Sequence, residues 1–241
     1  LVKNDVRGLD ELALFRDMQV TANNIANTNT TGYNGEHMLF ASFLTKDVNQ
    51  GQTNQMAFAH DISTYRNTEN GPAHVTGNPL DFAIGGSGYF AMETPLGIRY
   101  TRSGNFQLDA QGTLMSAQGY PVLDPSNQRI VFPEDTREIE IGETGVLKVN
   151  GDEFSTVGVF AFDNEQLLER LDGQLLKSEI VPRVSDTARV MQGVLEGANV
   201  KPVMEMTHMI EVSRGVASTA RFIEVAYDLQ RKTNNILAQQ G

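Results

Sequence analysis

The sequence contains no cysteine and no tryptophan. Without cysteine there is no disulfide to staple the fold and no thiolate for catalysis. Long apolar runs are also missing: no stretch approaches the roughly 20 residues that a membrane span needs. Positive charge is scarce, with 19 Lys and Arg against 30 Asp and Glu and a net charge of −11. Nucleic acid is excluded as a partner on that balance, because phosphate binding needs a basic face. The four histidines, His37, His60, His74 and His208, form no close His-x-x-x-His pair, and the single His208-x-x-Glu211 spacing supplies too few ligands for a metal site. No cofactor is expected.

What is present supports a folded chain. Forty per cent of the 241 residues are hydrophobic, enough for a substantial core, and 20% are charged, too few for wholesale disorder. The charge is uneven. Residues 1–36 carry net −2 and residues 201–241 net +1, which leaves −10 in between. Near-neutral ends can pack against other chains while an acidic middle stays solvated.

The most informative segment is Ala22-Asn23-Asn24-Ile25-Ala26-Asn27-Thr28-Asn29-Thr30-Thr31-Gly32-Tyr33. It closes a helical pattern over residues 4–28, with Asn4 or Asp5 as N-cap and Leu14, Met18, Ala22 and Ile25 at helical spacing. Asparagine is a poor helix former because its amide competes for backbone hydrogen bonds. The run therefore caps a helix end or bonds to a neighbouring chain, and Gly32 suits a left-handed position beyond the helix. Residues 35–75 read as a polar, irregular connection with short apolar islands at Met38–Leu44 and Met56–Phe58. Residues 76–185 read as short strands punctuated by glycine turns, an antiparallel barrel or sandwich. Phe106–Leu108 and Thr113–Met115 form a hairpin around Asp109-Ala110-Gln111-Gly112, and one short helix is expected near Gln166–Leu171. Residues 186–241 return to helix, with Pro202 in a first turn. There Met206, Met209, Ser213, Val216, Ala220, Ile223 and Tyr227 make a heptad-like stripe, and Ile210 and Leu229 extend the apolar character beyond it. A helix apolar on several sides needs partners on several sides, and two terminal helices around a β middle do not supply them.

Catalytic patterns are weak. Gly85-Gly86-Ser87-Gly88 lacks the lysine of a phosphate loop and runs into Tyr89-Phe90 rather than a helix. A nucleophile elbow requires glycine two residues after Ser87, where Tyr89 stands. Glu134-Asp135 and Asp152-Glu153 read as solvated turns rather than an acid/base couple, and Asn29-Thr30-Thr31 matches a glycosylation sequon of no consequence outside the eukaryotic secretory pathway.

Three ordered blocks resemble the bacterial flagellar rod and hook proteins. The first is Ala22-Asn23-Asn24-Ile25-Ala26-Asn27-x-Asn29-Thr30-x-Gly32-Tyr33. The second is Thr76-Gly77-Asn78-Pro79-Leu80-Asp81-Phe82-Ala83-Ile84-x-Gly86-x-Gly88-Tyr89-Phe90 with Tyr100-Thr101-Arg102-x-Gly104-x-Phe106-x-Leu108-Asp109. The third is Gly197-Ala198-Asn199-Val200 with Met204-x-Met206 and Met209-Ile210-Glu211-Val212-Ser213-Arg214. Glu36 to Phe40 and Ile223 to Thr233 are similar to proximal-rod members more than to distal-rod or hook members. One departure is Gly215-Val216, where the family often has Ala-Tyr; glycine weakens the helix and the lost aromatic removes a contact.

The resemblance implies a non-enzymatic structural subunit of α+β class. A discontinuous, coiled-coil-like α-domain of residues 1–34 and 186–241 would pair the terminal helices on the inside, residues 35–75 would link, and residues 76–185 would form the outer, mainly antiparallel β-domain. It implies copies of itself and other rod proteins as partners, the flagellar type III export apparatus during secretion, and a periplasmic position in the basal body. Leu1 to Arg7 leads into a helical pattern rather than an apolar core, so no cleaved signal peptide is expected. The terminal helices should be poorly ordered in a free monomer. Expected subunit-interface residues are Leu14, Met18, Ala22, Asn23, Asn24, Ile25, Ala26, Asn27, Asn29 and Gly32 near the N-terminus. Near the C-terminus they are Met206, Met209, Ile210, Ser213, Val216, Ala220, Ile223, Tyr227 and Leu229. The competing readings are a distal-rod or hook subunit and, more remotely, a β-rich binding or hydrolytic domain with dimerising helices. The last needs carboxylates or histidines converging in a concave pocket.

Overall fold

The computed structural model describes residues 2–46, 55–171 and 174–239. Helix α1 (Val2–Ala26) is followed by β1 (Glu36–Lys46), β2 (Gln55–Arg66), β3 (Ala73–Val75), β4 (Phe82–Gly85), β5 (Tyr89–Thr94) and β6 (Gly97–Thr101). Then come β7 (Phe106–Leu108), β8 (Leu114–Ser116), β9 (Ile139–Ile141), β10 (Val146–Val149), β11 (Asp152–Thr156) and β12 (Val159–Ala161). After a 3-10 turn at Glu165–Leu167 the chain forms β13 (Glu169–Arg170), β14 (Leu176–Lys177), β15 (Arg183–Val184), β16 (Arg189–Gln192), β17 (Val194–Glu196) and α2 (Pro202–Gln239). The class is α+β. The chain separates into two compact units, one of residues 1–26, 36–65 and 201–241, the other of residues 27–35 and 66–200.

The larger unit is built on an antiparallel sheet of order β13-β14-β6-β5-β12-β15. Its central strand β5 explains why the sheet is buried on both faces. Tyr89, Phe90, Ala91 and Met92 are apolar without alternation, and successive side chains of a strand point to opposite faces. Phe90 and Met92 pack with Phe82, Phe106, Leu114, Ile130 and Val190 in one cluster. Tyr89 and Ala91 pack with Tyr100, Phe160 and Phe162 in a second. Aromatic edges meet faces in both, with Phe90 on Phe106 at 5.2 Å and Tyr100 on Phe162 at 4.9 Å.

Small two- and three-stranded sheets complete this unit. β7 and β8 form the hairpin expected from sequence, with Phe106 opposite Ser116 and Gly112 at φ 79°. Asp109 holds the turn, accepting hydrogen bonds from the backbone N–H groups of Gln111 and Thr113. β10 and β11 join through Asn150 and Gly151, both left-handed (φ 55° and 93°), the geometry of a type I′ turn. The runs at Val122–Leu123 and Ile130–Phe132 make only isolated bridges rather than strands.

Four expectations change. The connection over residues 35–75 contains β1 and β2, which pair with each other. The return to helix begins at Pro202 rather than near 186, because residues 189–192 and 194–196 pair with β4 and β3. The helix expected near Gln166–Leu171 is a single 3-10 turn, capped by the Asn164 side chain accepting from Gln166 N–H. Among the described residues no barrel closes, because β13 and β15 remain at opposite ends of the main sheet.

Tyr89 carries a testable consequence. Its hydroxyl donates to Glu165 at 2.8 Å. Burial, reinforced by the neighbouring Glu165 charge, raises the phenol above its ordinary value of 10.0. An unfolded phenol ionises near 10, so the folded chain retains a proton that the unfolded chain gives up. The stability this contributes is complete below that pH and is lost as pH rises through the folded value. Denaturant midpoints should therefore fall more steeply between about pH 9 and 11 in the native chain than in Tyr89→Phe, which cannot ionise there.

Candidate assembly surface and the sites that support it

Two sets of polar contacts organise the candidate residues, one in each unit. In the β unit the set is centred on Arg102 at the end of β6. Its guanidinium is buried and pairs with buried Glu196 at 2.7 Å. Nε donates to Glu196 Oε2, Nη1 to the carbonyls of Gly86 and Gly88, and Nη2 to Asn70 Oδ1, Ile84 O and Glu196 Oε2. Every donor of the fork has an acceptor, which a buried guanidinium requires. Gly85-Gly86-Ser87-Gly88 is thus not a phosphate loop; its carbonyls solvate an arginine.

The other signature segments converge on the same place. Glu196 Oε1 accepts from Gly71 N–H at 3.0 Å, and the Glu196 carbonyl accepts from Gly32 N–H at 2.8 Å. Gly32 has φ 67°, and a Cβ there would lie 2.4 Å from Ser103 N. Both facts restrict the position to glycine. Three residues past Glu196, the Asn199 amide accepts from Gly35 N–H and donates to the carbonyls of Asn67 and Glu69. Arg170 lies over the Tyr33 ring at 4.5 Å and donates to the Asn34 carbonyl.

In the helical unit the seam is polar. Asn24 is 1% exposed. Its Nδ2 donates to the Glu36 carbonyl (2.8 Å) and to Glu205 Oε2 (3.1 Å), and its Oδ1 accepts from Glu36 N–H (3.0 Å). Asp17 meets His208 Nε2 at 3.1 Å, and the Thr21 hydroxyl donates to the Asp17 carbonyl. Ala13, Asp17, Thr21, Asn24, Glu205 and Val212 are buried.

The interface residues expected from sequence fall into distinct environments. Asn24 and Gly32 are buried and bonded within the chain, so the notion that the Asn24 amide bonds across chains gives way to an internal clasp. Asn27 accepts from the Thr30 hydroxyl within its own turn. Leu14, Met18, Ile25, Met209 and Val216 are half-buried. Ala22, Asn23, Ala26, Asn29, Met206, Ile210, Ser213, Ala220, Tyr227 and Leu229 are exposed. The side chains of Ile223 and His60 lie outside the described residues. Alternate positions of the heptad-like stripe differ: Met209 and Val216 are half-buried, whereas Met206 and Ser213 face outward beside the buried Glu205 and Val212. Charge hid this pattern, because a glutamate occupies a buried position and methionines occupy exposed ones. Arg102, Glu196, Asn199, Glu205, Asp17 and His208 were missed as site residues. The available signal was that each signature block contains, or directly adjoins, a polar residue with no partner nearby in sequence.

Nothing in the described residues gathers three metal-ligating side chains. Glu134, Asp135, Asp152 and Glu153 are exposed. No described helix is long and apolar enough to cross a membrane.

Comparison with known proteins identifies the family. Residues 83–149 match the Flagellar hook protein FlgE/F/G D1 domain, residues 191–236 the Flagellar basal body rod FlgEFG protein C-terminal domain, and residues 13–34 the Flagella basal body rod protein family. Flagellar basal-body rod protein FlgF of Caulobacter vibrioides is 30% identical over 224 residues, covering 92% of this chain and 91% of the relative. FlgF of Mesorhizobium japonicum is 34% identical, covering 87% of each chain. Flagellar basal-body rod protein FlgG of Bacillus subtilis is 29% identical, covering 91% of this chain and 92% of the relative. On these matches the chain is a structural protein and not an enzyme. It belongs to the flagellar basal-body rod protein family.

Two substitutions probe the two contact sets. Glu196→Gln leaves the Arg102 charge buried without its counter-charge, and breaking such a pair costs about 3–5 kcal/mol. The thermal transition of the β unit should drop sharply, while a surface change such as Glu134→Gln should not move it. Gly215 lies within α2, and a Cβ there would meet Leu14 Cδ2 at 3.6 Å, an ordinary contact. Gly215→Ala should therefore stabilise the helix by about 1 kcal/mol, read as a higher melting point of the circular dichroism at 222 nm.

Proposed function

We propose that the chain is a subunit of the proximal part of the flagellar rod, polymerising through its terminal helices into the shaft that carries motor torque. It would reach the periplasm through the flagellar export apparatus and meet copies of itself and other rod proteins there. The observation that carries this reading is the outer surface of α2. Val203 (75% exposed), Met204, Met206, Ile210, Val225 and Tyr227 (65%) leave apolar side chains in water over more than six turns. Exposed apolar surface on this scale marks an interaction site. A head-to-tail contact that does not close on itself builds a helical assembly from one repeated joint.

The two helices are read as a coiled-coil-like antiparallel pair. Partners on α2 advance from Glu205 to His208 as those on α1 recede from Asn24 to Asp17. The Asn24 clasp and the Asp17–His208 contact would then set the register in which the apolar surface is offered. A distal-rod assignment is the second reading, supported by the FlgG matches over most of the chain.

Incorporation into purified basal bodies tests the proposal. Ile210→Asp and Tyr227→Asp should each abolish incorporation and swimming, with the β unit still melting at its native temperature. Asp152→Asn, on an exposed strand, should leave both intact. Normal swimming with either aspartate would remove the α2 surface from the joint. Immunogold labelling beyond the proximal rod would favour the distal-rod reading.

A further inference from the structure

Accepting that rod reading, the β unit contains a pocket that no step of it has used. The cavity has a volume of about 610 Å³ and is lined by Asn27, Leu96, Arg99, Tyr120, Leu171 and Leu175 among others. Its walls are mainly apolar, and Leu96 projects from the β5–β6 turn with 79% of its surface in water. Among these walls stands a cation. Arg99 donates from Nη1 to the Ile98 carbonyl and from Nη2 to the Leu96 carbonyl, while its Nε is buried and makes no hydrogen bond. No ion pair to Arg99 is found among the described residues. By contrast, nearby Arg129 is paired with Glu93, at 2.6 Å. A half-buried guanidinium beside an open apolar cleft fits a ligand that presents a carboxylate next to apolar side chains.

The helical unit carries a surface of that description. On α2, Glu224 and Asp228 stand one turn apart on one face, flanked by exposed Val225 and Tyr227. Asp228 is held by Arg231, whereas Glu224 makes no ion pair among the described residues. Two carboxylates at this spacing repel one another, so an incoming arginine relieves α2 as well as the pocket. Arg214 lies three positions after the exposed Glu211 and Arg221 three positions before Glu224, but only Glu224 has a second carboxylate, Asp228, four positions on. The carboxylate pair next to Val225 is therefore the better complement.

We propose that the Arg99 pocket of one subunit receives the Glu224–Asp228 turn of α2 from a second copy of this chain. Arg99 meets Glu224, and Val225 or Tyr227 enters between Leu96 and Leu171. This contact joins the β unit of one copy to the helix of the next, a joint distinct from helix–helix packing.

The absence of native cysteine allows a direct test. Leu96→Cys and Val225→Cys are combined in one chain, and intact basal bodies are oxidised. A disulfide-linked species at twice the chain mass, absent from either single variant, is the expected result. A companion pair separates electrostatics from folding. Arg99→Glu and Glu224→Arg should each lower incorporation at least tenfold, and the double variant should recover most of it. The idea is overturned by basal bodies that contain the double-cysteine chain uncrosslinked, by a crosslink within one chain, by a crosslink to a different rod protein, or by a charge swap that does not rescue. A wild-type chain absent from basal bodies would overturn the rod reading itself, so the two failures are distinct.

Discussion

The β unit depends on one buried charge. A guanidinium taken out of water is tolerable only if a counter-charge and enough acceptors replace the water it loses. For Arg102 those replacements come from three stretches of chain, at Asn70, at Ile84 to Gly88 and at Glu196. The constraint then propagates. The Gly86 and Gly88 carbonyls must both turn inward, and Gly88 sits at φ 147°. Gly104 must lie against the β4 backbone, where a Cβ would come within 1.7 Å of the Phe82 carbonyl. Gly32 must pass close to Arg102 and Ser103 to deliver its N–H to Glu196. Residues that read in sequence as scattered glycines are the clearances around one salt bridge.

The helical unit follows a different logic. Its buried seam is small and specified by polar groups, while its large apolar side chains point outward. Polar contacts inside a fold add little net stability, because each replaces a contact with water. They do penalise every register that leaves them unmatched, and a buried amide or carboxylate without a partner costs about 1–3 kcal/mol. The seam therefore selects an arrangement without supplying much stability, and the outward residues hold free energy not realised in a lone chain. Burying a side chain such as Met, Ile or Val contributes about 1.5–3 kcal/mol. Several of these, released together on docking, would make the assembled state the ordered one.

Legibility followed the strength of local pattern. The apolar run at Tyr89–Met92, the Asp109 hairpin turn and the Pro202 helix start could all be read because one or a few adjacent residues decide them. The strands over 36–46 and 55–66 could not, since Gln, Asn and Thr dominate Asn49–Gln55 and hide the pairing. The role of Asn24 was illegible for a different reason. A helix-ending asparagine looks the same whether its amide caps its own helix, grips a strand twelve residues on or reaches another chain, and only the positions of Glu36 and Glu205 decide. On α2 the pattern did not show which stripe positions bury, because burial there follows partner chemistry, with Glu205 inside and Met206 outside. The resemblance pointed to Asn24 and Gly32 but not to what each one holds.

Charge placement explains how a chain with so much exposed apolar helix can stay soluble before it docks. Nearly all of the net −11 lies between residues 37 and 200, while residues 201–241 are close to neutral. Like-charged β units repel one another over about a Debye length, roughly 8 Å at physiological salt. That repulsion opposes indiscriminate collapse of chains onto each other's helices. It is too short-ranged and too weak to resist a contact that pairs opposite charges and buries apolar surface at the same point. Arg99, which makes no ion pair among the described residues, stands in that acidic unit beside an apolar cleft and would be such an exception at the proposed joint.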